Sequence, residues 1–178
     1  MNLFHDIETG SNTPEEINVI VEISKGSNNK YEIDKETGLI ALDRANYSSA
    51  PFPFDYGFVP QTLWDDGDAL DVIILSTYPL INGVLVHVRP VAVLEMIDSG
   101  ESDYKIIGVP VNDKRWEDTQ DLSDINKHTL KEISHFLETY KVLKGKGDIV
   151  EAKVFKDKKE AHKAIVKAIG LYKEKFTR

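Results

Sequence analysis

The sequence predicts an α+β fold, mainly β, in which a small closed barrel is buttressed by two C-terminal helices. Three observations carry this: short alternating apolar segments over the first two thirds of the chain, two amphipathic helical stripes in the last third, and no repeat, linker or low-complexity run. At 178 residues and 41% hydrophobic content the chain can bury one substantial core, so residues 1–178 are expected to form a single domain.

The first strand is expected from Ile17 to Ser24, where Val19, Val21 and Ile23 alternate with Asn18, Ile20 and Glu22, pointing Glu22 away from the Val21 face. Lys30 to Asp34 alternates again, with Lys30 and Glu32 on one face; Lys35-Glu36-Thr37-Gly38 supplies a turn, and Leu39 to Arg44 returns as the partner. The Pro- and aromatic-rich stretch from Ala50 to Pro60 reads as a rigid packed loop. Further strands fit residues 71–75, 84–94, 104–109 and 149–155. A helix beginning near Ser123 would carry Leu130, Ile133, Phe136, Leu137 and Tyr140 on one stripe and deliver Tyr140 and Lys141 at its last turn. A second begins at Asp157, whose side chain can cap, with Ala161, Ala164, Ile165, Ala168, Ile169 and Tyr172 as its buried face.

The formal net charge of −8 disfavours a nucleic-acid partner held by a basic surface. With no cysteine the chain has no disulfide framework, thiolate metal site or cysteine nucleophile. The N-terminal residues lack a basic segment followed by an apolar run, and no stretch approaches the ~20 apolar residues of a membrane span, so a cytoplasmic protein without a membrane partner is expected.

The chemistry-bearing feature is Asp66-Gly67-Asp68-Ala69-Leu70-Asp71, running into the apolar Val72-Ile73-Ile74-Leu75. Converging carboxylates repel by roughly 4 kcal/mol per pair at about 4 Å and an effective dielectric near 20, so they call for a cation or a proton. Hard oxygen ligands suit magnesium, manganese or calcium. Asp98-Ser99-Gly100-Glu101-Ser102-Asp103 repeats the theme ahead of Ile106 to Val109, so two acidic turns could face one ion cluster. An EF-hand loop needs Gly at its sixth position and Glu at its twelfth; counting from Asp66 gives Asp71 and Thr77.

Cations accompany the carboxylates: Lys30 beside Glu32, Arg44 at a strand end, Lys105 two residues after Asp103, and Lys141, Lys144 and Lys146 after the first helix. Period-two geometry puts Lys105 on the face of Asp103 as it puts Lys30 on that of Glu32. Phosphate is the substrate class that wants both signs, metals offsetting some oxygens while Lys and Arg clamp others. Tyr56 and Tyr140 offer neutral donors to phosphate oxygens. Gly145-Lys146-Gly147 lacks the spacing and the strand-to-helix setting of a nucleotide loop.

These residues resemble the soluble inorganic pyrophosphatases of the first, magnesium-using family in their shorter prokaryotic form. The similarity runs from about Glu22 to Lys141; its most specific element is the acidic turn, supported by Val21-Glu22-Ile23, Lys30-Tyr31-Glu32-Ile33-Asp34, Asp43-Arg44, Tyr56-Gly57, Arg89-Pro90-Val91, Asp98 with Asp103 and Lys105, and Tyr140-Lys141. The resemblance implies an OB-like five-stranded barrel and a homo-oligomer, commonly a hexamer. It implies that Asp66, Asp71 and Asp103 bind the tightest metal and that Asp98 helps Asp103 hold another, with Glu22 and Glu32 acting through metal-bound water or a further ion. Asp68 resembles the general base, and Lys30, Arg44, Lys105, Tyr56, Tyr140 and Lys141 resemble phosphate ligands. Two positions depart from the family pattern: Ala69 replaces the usual Pro or Glu, which is expected to loosen the turn, and Phe52 replaces a Tyr, removing one hydroxyl near the cleft.

The expected activity is hydrolysis of diphosphate to two phosphates by direct attack of a metal-activated water, with several Mg2+ ions per site and Mn2+ as a possible substitute. Three rivals stand against it. A nucleotide phosphohydrolase lacks its base-stacking platform here, an OB-type oligonucleotide-binding module is disfavoured by the acidic balance, and a structural calcium-binding domain would leave Lys30, Arg44 and Lys141 without a role.

Overall fold

The computed structural model describes residues 1–145 and 149–176, so Lys146 and Gly147 lie outside the described residues. Nine strands and two α-helices occur among them: β1 (Ile17–Ile23), β2 (Asn29–Ile33), β3 (Ile40–Ala45), β4 (Asp55–Phe58), β5 (Asp71–Ile74), β6 (Leu85–Asp98), β7 (Glu101–Ser102), β8 (Lys105–Pro110), α1 (Lys127–Thr139), β9 (Val150–Lys156) and α2 (Lys158–Phe176).

Hydrogen bonding runs β1-β4-β5-β8-β6, and a further β6–β1 pairing closes these five strands into a ring. All of these pairings are antiparallel except β5–β8. At 14 residues β6 is long enough to serve twice: its first half completes the ring, and its second half pairs with β9 and with the short β7. The hairpin β2–β3 stands apart as its own two-stranded sheet.

Both faces of the ring strands are covered, which is why β1 is buried at Val19, Ile20 and Val21 alike rather than alternating. One apolar cluster joins Ile23, Phe52, Phe54, Tyr56, Ile73 and Ile107 to Ile133, Phe136 and Leu137 of α1. Another joins Val19, Val21, Val72, Ile74, Val93 and Ile106 to Ala161, Ala164, Ile165 and Ala168 of α2. The small residues of α2 let its backbone approach the sheet closely.

Two sequence expectations are corrected. The stretch read as a packed loop contains β4, which sits in the ring between β1 and β5. Gly57 permits this: a Cβ there would lie 2.1 Å from the Ile20 carbonyl oxygen of the neighbouring strand. The first helix starts at Lys127, not near Ser123, because Asp121 caps a separate 3-10 turn at Leu122–Asp124 and Ile125 is extended; Asn126 then caps α1 by accepting from the His128 amide at 2.8 Å. The second helix begins as expected, with Asp157 Oδ1 accepting from the Glu160 amide at 3.0 Å.

Candidate active site

A cleft of about 410 Å3 opens between the β2–β3 hairpin and one end of the barrel. Each wall comes from a different element. Strand β1 supplies Glu22, the hairpin Lys30 and Glu32, β4 Tyr56, the acidic turn Asp66 and Asp68, and β5 Asp71. The segment from the end of β6 to β8 supplies Asp98, Asp103 and Lys105, and the chain after α1 supplies Tyr140 and Lys141. Of the thirteen site residues expected from sequence, twelve line this cleft. Arg44 does not. It lies on the hairpin beside Lys30, both cations paired to Asp43, with its guanidinium over the Tyr47 ring at 5.3 Å. Its Nε and Nη2 are buried without a hydrogen-bond partner.

The acidic turn is shaped locally. Gly67 has φ +87, which glycine adopts freely, its amide donates to the Trp64 carbonyl at 3.0 Å, and Asp66 Oδ1 accepts the Asp68 amide at 2.9 Å. Asp71 opens β5 in register with Lys105 of β8, so the parallel pairing itself brings them together. Lys105 Nζ donates to Asp71 Oδ2 at 2.6 Å and to Asp103 Oδ1 at 2.5 Å, and the Tyr56 hydroxyl donates to the same Asp71 oxygen at 2.6 Å. Lys141 pairs with Asp98, and Lys30 with Glu32, as their shared face requires.

The electrostatics follow from burial. Glu22 is 4% exposed, and desolvation, then the charge of Asp71, push its carboxyl up to about 8, although it accepts the Ile33 amide at 2.7 Å. Burial, then the charges of Asp103, Asp71 and Asp68, raise Asp66 to about 6, against the lowering effect of the Asp68 amide. Desolvation pulls Lys105 down, but the two carboxylates it bridges outweigh this and hold it above the ordinary lysine value. Lys30 is lowered, chiefly by burial. Tyr56 is raised well above its ordinary value by burial and by Asp71, so its phenol is neutral and available as a donor.

Among the described residues no three His, Cys, Asp or Glu side chains gather closely enough to clasp one ion, because the ammonium of Lys105 stands between Asp71 and Asp103. The donor set nevertheless fits a hard divalent cation. All the carboxylates offer oxygen, and Glu22 and Asp66, raised first by burial, are raised further by neighbouring carboxylates, a repulsion that a cation would offset.

Sequence reasoning missed two residues here. Asp43 joins Lys30 and Arg44, and its place directly before Arg44 on a strand opposite Lys30 was a usable signal. Lys35 lines the cleft and donates to Asp68, which its position in a polar turn did not indicate. Phe52 does not line the cleft but packs in the core at 3% exposure directly behind it, its ring 6.2 Å from that of Tyr56 and 6.1 Å from that of Tyr140, both cleft residues.

A barrel cleft that interleaves carboxylates with lysines and phenols defines a hydrolase built for a highly charged anion. Residues 19–173 match the inorganic pyrophosphatase family, and the chain belongs to it. It is 46% identical over 176 residues to the inorganic pyrophosphatase of Haloferax volcanii, an alignment covering 99% of each chain. It is 43% identical to the soluble inorganic pyrophosphatase of Zea mays, over 95% of this chain and 78% of that protein. The crystal structure of the inorganic pyrophosphatase from Thermus thermophilus superposes with a TM-score of 0.94 at 42% identity, over 97% of this chain and 99% of that one.

Proposed function

We propose that the chain hydrolyses diphosphate to two phosphates by direct attack of water on one phosphoryl group, dependent on Mg2+, with Mn2+ as a substitute. The observation that supports this most is the interleaving of eight carboxylates with Lys30, Lys105 and Lys141 around one cleft in a chain of this family. Asp66, Asp71 and Asp103 would hold the tightest ion, with Asp98 sharing a further one with Asp103 and Glu22 and Glu32 completing the set through water. Bound there, the metal would lower the pKa of water and offset charge on the diphosphate oxygens.

The chain's own residues do the rest. The Asp68 side chain is 66% exposed against 21% for Asp71 and 13% for Asp103, so it can take the proton of the attacking water and pass it to solvent. Lys30, Lys105, Lys141 and the phenols of Tyr56 and Tyr140 bind the phosphoryl oxygens. Arg44, which sits beside Lys30 on the hairpin and does not line the cleft, is included among the phosphate ligands on the family resemblance alone. The proton from water ends on Asp68, the bridging P–O bond breaks, and the leaving phosphate departs as an anion held by the lysines, with no covalent enzyme intermediate.

We extend the family resemblance to one domain over residues 1–178, a homo-oligomer, as a hexamer, and a cytoplasmic location. Exposed Leu39, Leu42, Tyr78, Ile81, Val142 and Leu143 favour association, and none of the described helices is long and apolar enough to cross a membrane. Sedimentation of the purified protein checks the assembly. The activity is tested by phosphate release from diphosphate with and without divalent metal. Release is expected with Mg2+, none in chelator, and inhibition by excess Ca2+, whose looser coordination misplaces the reacting groups. Equal turnover in chelator would overturn the assignment.

A further inference from the structure

The hairpin β2–β3 and the barrel are separate sheets, yet the cleft needs side chains from both at fixed separation. Lys35, in the hairpin turn, spans the gap: its Nζ donates to Asp68 Oδ1 at 2.5 Å and to the Gly67 carbonyl at 3.1 Å. Its backbone is itself anchored. Asp34 Oδ1 accepts the amides of Glu36 and Thr37 at 2.9 and 3.1 Å, and Asn2 Nδ2 donates to the Lys35 carbonyl at 2.9 Å. A fixed turn therefore presents an ammonium to one oxygen of the exposed Asp68 carboxylate.

We propose that Lys35 is a positioning residue for Asp68: it fixes the rotamer of that carboxylate and the spacing of the hairpin against the acidic turn, leaving the second carboxylate oxygen for the proton of the attacking water. The proposal rests on the assignment of Asp68 as the base. Both partners are substantially exposed, at 43% for Lys35 and 66% for Asp68, so the pair contributes little to global stability. Its consequence is geometric. A base displaced by a fraction of an ångström loses alignment with the water it serves, and misplacements of about 1 Å can cost ~100-fold in rate.

The experiment compares Lys35→Met, which keeps the aliphatic stem, with Lys35→Arg, in the wild-type and Asp68→Asn backgrounds. Lys35→Met is expected to lower kcat about tenfold with KM for diphosphate changed less than about twofold, within the range of a modest misalignment. Lys35→Arg, which can still reach the carboxylate, should recover most of the loss. In the Asp68→Asn background Lys35→Met should have no further effect. Amide exchange of the peptide spanning residues 65–70, measured without substrate or metal, should quicken in Lys35→Met while the melting temperature is unchanged. An equal loss of kcat in both backgrounds, unchanged exchange, or a raised KM at constant kcat would overturn the inference, the last making Lys35 a substrate-binding cation. A wild-type protein inactive on diphosphate would overturn the functional reading instead, and the exchange measurement would still decide whether Lys35 restrains the turn.

Discussion

Asp68 and Asp71 differ by three positions in sequence and by most of their environment. Asp71 begins a buried strand and accepts from both Lys105 and Tyr56, whereas Asp68 sits on the turn and meets Lys35. Replacing each by Asn separates holding a metal from moving a proton, since Asn keeps an oxygen ligand but is no comparable base. Asp68→Asn is expected to retain metal binding by titration calorimetry while turnover falls by something like the 10²- to 10⁴-fold attributed to a positioned acid or base. Asp71→Asn should weaken metal binding first, so that raised Mg2+ recovers part of its activity and little of the Asp68 variant's. Matching metal deficits in both variants, rescued alike, would remove Asp68 from its role as base.

At the scale of elements, side chains outside the cleft hold the strands that build it. Asp113 caps the 3-10 turn Lys114–Trp116 and reaches back to the loop after β5, accepting the Thr77 amide at 2.7 Å and the Thr77 hydroxyl at 2.8 Å. Burial is the largest single influence and raises its carboxyl, but the Thr77 and Arg115 donors together outweigh it and hold the group below its ordinary value of 3.8. The native state therefore binds fewer protons than the unfolded chain in the window beneath 3.8. The stabilisation is whole above that value and drains away as pH falls through the lower native pKa. Asp113→Ala should cost about 1–2 kcal/mol at neutral pH, as a lost cap does, and the gap to wild type in denaturant titrations should close toward pH 3. A gap independent of pH would mean that the carboxylate charge contributes nothing there. Such contacts also explain what the sequence did and did not disclose about elements. Alternation located β1, β2, β3, β5, β8 and β9 to within a residue or two at most ends. It hid β4, because Asp55 in that strand is fully buried and satisfied by the Lys25 and Leu80 amides at 2.8 and 2.9 Å and by Ser76, long-range partners that no local pattern records. The second half of β6 escaped for a related reason: it is a strand because β9, more than fifty residues later, pairs with it.

Across the whole molecule, the carboxylates read from sequence come from four separate stretches of chain, three gathered by the ring and the fourth, Glu32, brought over by the separate hairpin. Their identities were legible because acidic residues flanking a glycine before an apolar strand are unusual, and because period two fixes which neighbours share a face. The pairing of Lys105 with Asp71 was not, since it depends on the parallel register of β5 against β8. Neither was the tie from Lys35 to Asp68, which joins two sheets. The same convergence makes metal binding a global property. An ion held by Asp66, Asp71 and Asp103 would pin the acidic turn, β5 and the segment before β8 together, and would offset the carboxylate charges that add to burial in raising Asp66 and Glu22. A ligand that binds only the folded state at 100 times its dissociation constant stabilises it by about 2.7 kcal/mol. For a chain of this size that corresponds to a rise of roughly 5–10 °C in melting temperature. Thermal unfolding followed by circular dichroism should show this rise on adding Mg2+ and its reversal by chelator. Asp68→Asn should keep most of the shift, whereas Asp71→Asn, deprived of a charged ligand, should need a higher Mg2+ concentration to reach it. A wild-type melting temperature indifferent to Mg2+ across the range that supports turnover would show that the carboxylates do not hold the metal as a structural cluster, and would place it instead with the incoming substrate.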